Sequence, residues 1–99
     1  MKTLGAPKPI EVRYEERACG GMRYEYTLSI SESRKTASFG LRLYSVSVKL
    51  TDRRGVETEA TLNEAFCDSE RAFRFFNRIV ENLATPIDLP YVFDDEYTR

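Results

Sequence analysis

The sequence predicts an α+β fold: a four-stranded, mostly antiparallel sheet of two hairpins, with one main C-terminal helix packed on one face. Three observations carry this. Apolar residues alternate with period two from Ile10 to Ile30 and again between Phe39 and Leu62. Glycine-bearing turns, Gly20-Gly21 and Asp52-Arg53-Arg54-Gly55, interrupt these runs. From Asp68 onward the spacing becomes helical. The 99 residues allow one domain.

Met1 to Pro9, with Gly5, Pro7 and Lys8, reads as a flexible arm without a stretch of signal-peptide length. No window approaches the ~20 apolar residues of a membrane span. In the first hairpin Ile10, Val12, Tyr14, Met22, Tyr24, Tyr26, Leu28 and Ile30 share one face. Charge suggests its register: Arg13 against Glu25 and Glu15 against Arg23, with Arg17 to Gly21 as the loop. A polar segment, Ser31 to Ser38, separates the hairpins. The third strand then switches apolar parity between Phe39-Gly40-Leu41-Arg42-Leu43 and Tyr44, Val46, Val48 and Leu50, as a β-bulge or a doubly buried strand would. Asp52 to Gly55 fits a type I turn ending on a left-handed glycine, which sets Lys49 against Glu59, Val48 against Ala60 and Val46 against Leu62.

The sheet-forming region thus covers 10–62 and the helix 68–84. Asp68 or Ser69 caps the helix, and Glu70 lies in its first turn, where the dipole favours an acid. Ala72, Phe73, Phe76, Ile79, Val80 and Leu83 form its apolar stripe, and Thr85-Pro86 ends it. A short helical turn capped by Asp88 and a frayed acidic tail follow over 88–97.

The stretch Asp68-Ser69-Glu70-Arg71-Ala72 through Asn82-Leu83-Ala84-Thr85-Pro86-Ile87-Asp88-Leu89 resembles the C-terminal half of a small family of clostridial-type bacterial proteins. That family, of similar length, is known as a domain of unknown function. The shared pattern is an acid-rich helix, a helix-ending Asn, Thr-Pro and a hydrophobic-x-Leu closing turn. The resemblance implies a small cytosolic bacterial protein in one α+β domain, and no activity, cofactor or site.

Composition excludes more than it assigns. The chain has no histidine, so His-based triads, His metal sites and imidazole switches are absent. Fifteen basic residues against sixteen acidic argue against non-specific nucleic-acid or membrane affinity. Two cysteines without a C-x-x-C pair point to a reducing, cytoplasmic compartment. Cys67, just before a helix, has the placement of a reactive thiolate but no partner base, and reads as a small buried hydrophobe; Cys19 reads as exposed. Asp94-Asp95-Glu96 lacks the scaffold of a metal site, so neither metal nor cofactor is expected.

Arg71, Arg74 and Arg78 fall within about 60° on the helix side opposite the Phe stripe. With Arg53 and Arg54 they could bind an anion or nucleic acid. Glu70–Arg74 and Arg78–Glu81 pairs make a solvated face the stronger reading. Tyr14, Tyr24, Tyr26, Tyr44 and Phe39 could stack bases, but they share a face with aliphatic residues and read as core. Phe75 lies at the edge of the helix stripe and is a candidate contact for a partner protein.

Three functions follow, in order of weight. The first is a non-catalytic module that binds another protein or itself, as a homodimer, through an open sheet edge, Ile10 to Arg17 or Val56 to Leu62. The second is an anion or nucleic-acid binder using the arginines. The third is a small thiol-dependent enzyme using Cys67 or the terminal acids.

Overall fold

The computed structural model describes residues 10–32 and 42–97. The expected arm at 1–9 and the Phe39-Gly40-Leu41 segment lie outside the described residues. Four strands, β1 (Ile10–Cys19), β2 (Met22–Glu32), β3 (Arg42–Thr51) and β4 (Glu57–Phe66), form an antiparallel sheet in the order β1-β2-β3-β4. Two helices follow, α1 (Ser69–Glu81) and α2 (Leu89–Tyr97). The fold is α+β.

The first hairpin departs from the charge-based register. Cys19 stands opposite Met22, so the loop is only Gly20-Gly21, and both glycines have positive φ (63° and 81°). Two consecutive positive φ values are what a type I′ turn requires, and its twist matches that of the flanking strands. Glu16 then faces Glu25, a like-charge pair that Arg23 bridges from its neighbouring position. Exposed cross-strand ion pairs contribute roughly 0.2–1 kcal/mol each, too little to displace a turn that suits its two residues. The shift turns β1 over: Arg13, Glu15 and Arg17 now lie beside Leu28, Tyr26 and Tyr24. Tyr14 joins Thr27 on the opposite face. The register slips between Glu11 and Arg13, which makes Val12 a bulge.

The second hairpin has the register that its turn implies, with Lys49 opposite Glu59, Val48 opposite Ala60 and Val46 opposite Leu62. Gly55 takes φ 85° and its N–H donates to the Asp52 carbonyl at 3.0 Å. The Asp52 carboxylate accepts from the N–H groups of Arg54 and Val56. The expected bulge is displaced. β3 pairs with β2 without interruption from Arg42 to Thr51. The irregularity lies on β4, between Leu62 and Phe66, where Glu64 takes φ 49° and its N–H donates to the Ser45 hydroxyl at 2.8 Å.

Even-numbered side chains of β2 and β3 (Tyr24, Tyr26, Leu28, Val46 and Val48) form one core cluster with Ala72, Phe76, Ile79 and Val80 of α1 and Leu89 of α2. Odd-numbered positions on the opposite face are polar: Thr27 and Ser29 on β2, Ser47 and Lys49 on β3, Glu59 and Thr61 on β4. That alternation is the mark of a sheet with one face packed and one in water.

Asp68 caps α1, its carboxylate accepting from the Glu70 N–H. The helix ends before the proline. Leu83 N–H donates to Val80 and Ala84 N–H to Ile79, with Leu83 itself at φ 51°. These are the paired bonds of a Schellman motif. Thr85-Pro86 therefore opens the second helix instead of closing the first. The Thr85 hydroxyl accepts from the Asp88 N–H while the Asp88 carboxylate accepts from the Thr85 N–H, a reciprocal capping box with proline in the first position. In place of a short turn and frayed tail, helix continues to Tyr97.

The Tyr26 hydroxyl donates to the Ala84 carbonyl at 2.9 Å and joins the middle of the sheet to the corner between the helices. Tyr26 is fully buried, and burial pushes its phenol up to about 12. Tyr26→Phe should cost about 1–3 kcal/mol in denaturant unfolding, because it leaves a buried carbonyl unpaired. The burial also links stability to pH. The unfolded phenol ionises near pH 10, so stability falls as pH rises from there through about 12. Tyr26→Phe should lack that part of the alkaline loss; parallel stability curves for the two proteins above pH 10 would contradict it.

Candidate interaction surface

The two sheet edges differ in what their side chains do. β1 carries charge on both faces. On the helix-covered side Arg17 and Arg13 both reach Glu15, at 3.0 and 3.4 Å, and hold its carboxyl below the usual range, Arg17 most strongly. The Arg13 guanidinium lies 5.3 Å from the centre of the Phe76 ring and 6.0 Å from that of Phe73, and it donates to the Asn77 side chain at 3.4 Å. A cation thus covers the rim of the core. On the open side the Tyr14 hydroxyl donates to Glu25 at 2.9 Å, the bond that chiefly raises its pKa. Pairing with Glu16 raises that of Arg23. Inward-facing charges and a bulge are standard means of blunting an edge.

β4 is different. The Asp52 N–H donates to the Val56 carbonyl at 2.9 Å, which makes that pair a hydrogen-bonded one. By the alternation of an antiparallel ladder, Thr58, Ala60 and Leu62 also bond to β3, while the backbone groups of Glu57, Glu59 and Thr61 point away from the sheet. Among the described residues, the side chains beside this row turn towards β3. Glu57 leans towards Lys49 (3.6 Å), and Glu59 accepts from the Ser47 hydroxyl at 3.1 Å. The Glu64 bulge ends the regular segment.

The arginines are not gathered into one patch. Arg78 reaches Asp95 of α2 at 3.2 Å, rather than the expected Glu81. Arg71 and Arg74 occupy exposed positions on α1. Arg53 donates from Nε to the Gly20 carbonyl at 2.7 Å and lies over Gly21, where an added Cβ would stand 3.0 Å from its Cγ. It clamps one hairpin tip to the other. Arg54 is exposed, 4.0 Å from Asp52.

Beside the Arg78–Asp95 pair lies a groove of about 420 Å³ between α1 and α2, floored by Ile79, Ala84 and Val92 and rimmed by Tyr91. Tyr91 and nearby Ile87 are among the most exposed large apolar residues, at 72% and 73%. The spacing of the α1 stripe gave no sign of this groove, because it depends on where α2 packs.

Phe75 is a correction. It is fully buried, 5.1 Å from Phe66 and 6.1 Å from Phe93 between ring centres, and cannot meet a partner. The helix stripe is wider than expected because α2 and the end of β4 cover its second flank. Cys67 is the opposite case: it is exposed, as is Cys19, and both are free thiols. Among the described residues no group of three or more His, Cys, Asp or Glu is placed to hold a metal ion. Nor, among the described residues, is any helix long and apolar enough to cross a membrane.

In comparisons with known proteins, a family model described as a family of unknown function (DUF6514) matches residues 9–99. No curated protein and no solved structure matches.

The placement of Phe75 is open to direct measurement. Phe75→Ala should destabilise the fold by roughly 3–5 kcal/mol in a denaturant titration, as for a core aromatic. A loss within about 0.5 kcal/mol, the usual surface range, would return Phe75 to the surface.

Proposed function

The chain belongs to the DUF6514 family, a family of unknown function, and we propose from its own surface that it is a non-catalytic protein-binding module that accepts a partner strand along β4. The observation that carries this reading is the inequality of the edges. β1 is closed by Arg13, Glu15, Arg17 and its bulge, whereas β4 presents backbone groups of Glu57, Glu59 and Thr61 that no other strand among the described residues pairs with. Strand addition draws its affinity from such main-chain groups.

The lack of histidine supports a binding role over a catalytic one. The anion-binding alternative is weakened by Arg78 and Arg53, which are engaged by Asp95 and Gly20. Two exposed free thiols suit a reducing compartment, and the cytoplasm is the location proposed here.

A synthetic peptide spanning residues 56–63 serves as a generic partner strand. Added in excess, it should slow amide exchange roughly tenfold or more at Glu57, Glu59 and Thr61, and leave unchanged Thr58, Ala60 and Leu62, which already bond to β3. With the chain held at a concentration where its mass is 11.5 kDa, no protection, or protection confined to β1, would overturn the reading. Single-stranded DNA at low salt should leave all these amides as they are; a strongly salt-dependent complex would favour the arginine alternative instead.

A further inference from the structure

We propose that the strand β4 accepts is β4 of a second copy of this chain, antiparallel and in the register that sets Ala60 against Ala60. This rests on the strand-addition reading above and names its partner. A two-fold axis perpendicular to the sheet keeps each face on its own side, so only registers centred on a residue are available.

Centres near the middle of the free segment give the longest ladders, and centring on Thr58 already fails because it sets Glu57 opposite Glu59. Centring on Glu59 places two carboxylates directly opposite each other, which is repulsive. Centring on Thr61 runs Glu57 past the Glu64 bulge, where the ladder stops being regular. Centring on Ala60 sets Glu59 opposite Thr61 twice, Glu57 opposite Asn63 twice and Thr58 opposite Leu62 twice. No two like charges meet.

Backbone geometry favours the same choice. Glu57, Glu59 and Thr61 carry the outward-pointing groups, so Glu59 and Thr61 become hydrogen-bonded pairs and Ala60 the non-hydrogen-bonded centre. Non-hydrogen-bonded partners approach most closely, with Cα atoms about 4.5 Å apart, and alanine is small enough to sit there against itself. On the helix side the half-buried Leu62 gains cover from Thr58 of the other copy. A net charge of −1 offers little long-range opposition. The product is a continuous eight-stranded sheet bounded at both ends by the charged β1 edge.

The test is the molecular mass of the full chain by light scattering over a concentration series, for the native sequence and for two variants. The native mass should rise from 11.5 kDa towards twice that value. Thr61→Glu puts a carboxylate against Glu59 in both symmetric pairs and should weaken the dimer by roughly 2- to 30-fold; Thr61→Lys should strengthen it by a similar factor. Opposite shifts from one exposed position cannot come from loss of the fold. A mass of 11.5 kDa at every concentration would overturn the second copy as the partner. If the peptide of residues 56–63 still protected β4, strand addition itself would stand. A dimer indifferent to both variants would overturn the β4 register.

Discussion

The loop of two glycines between β1 and β2 governs most of what the surface can do. With both at positive φ the hairpin closes in two residues, and that length decides which face each β1 side chain occupies. Arg13, Glu15 and Arg17 fall on the packed side only because of it. From there Arg13 covers the rings of Phe73 and Phe76, and Glu15 joins the two cations. The same loop receives Arg53 from the second hairpin, so a side chain at Gly21 would meet both an unfavourable φ and the arginine's aliphatic stem.

On the other side of the core, the chain turns between two helices with its polar groups accounted for. The Schellman bonds satisfy the carbonyls at the end of α1, and the capping box satisfies the start of α2. Leu83 holds a left-handed conformation that costs a non-glycine residue about 1–2 kcal/mol. The Tyr26 hydroxyl engages the next carbonyl in the corner, that of Ala84. Phe66, Phe75 and Phe93 then meet at tilted and edge-on angles behind it, so strand, helix and helix share one aromatic contact.

How much of this the sequence discloses depends on whether the deciding interaction is local. The second hairpin is legible because Asp52 to Gly55 specifies its own turn, and the register follows by counting. The first is equally local, yet charge pairing points the wrong way: Glu16 opposite Glu25 looks forbidden until Arg23 is seen to bridge them. Thr85-Pro86 reads as a stop signal or a start signal with equal right, and the reciprocal bonds with Asp88 decide. Phe75 and Cys67 are illegible for another reason. The burial of Phe75 depends on where α2 lies, which no periodicity within α1 contains, and the exposure of Cys67 depends on how the chain turns from β4 into α1. At the surface, the charges of β1 and the glutamates of β4 are plain in the sequence, but their consequence for each edge waits on the register.

The bond from Tyr26 to Ala84 spans 58 residues, and this has a meaning for synthesis. Both hairpins are complete in sequence once Phe66 has been made, whereas the residues that cover their apolar side come from Ala72 onward and end with Leu89. At translation speeds of about 5–20 residues per second, Tyr26 waits roughly 3–12 s for the carbonyl it will bond. Between Phe66 and Ala72 the nascent chain carries all four strands, with a hydroxyl-rich side and an apolar one, and none of the helical residues that cover the latter. The helices are therefore what complete the strands, and a chain halted between Phe66 and Ala72 would carry both hairpins with about half of its buried residues missing.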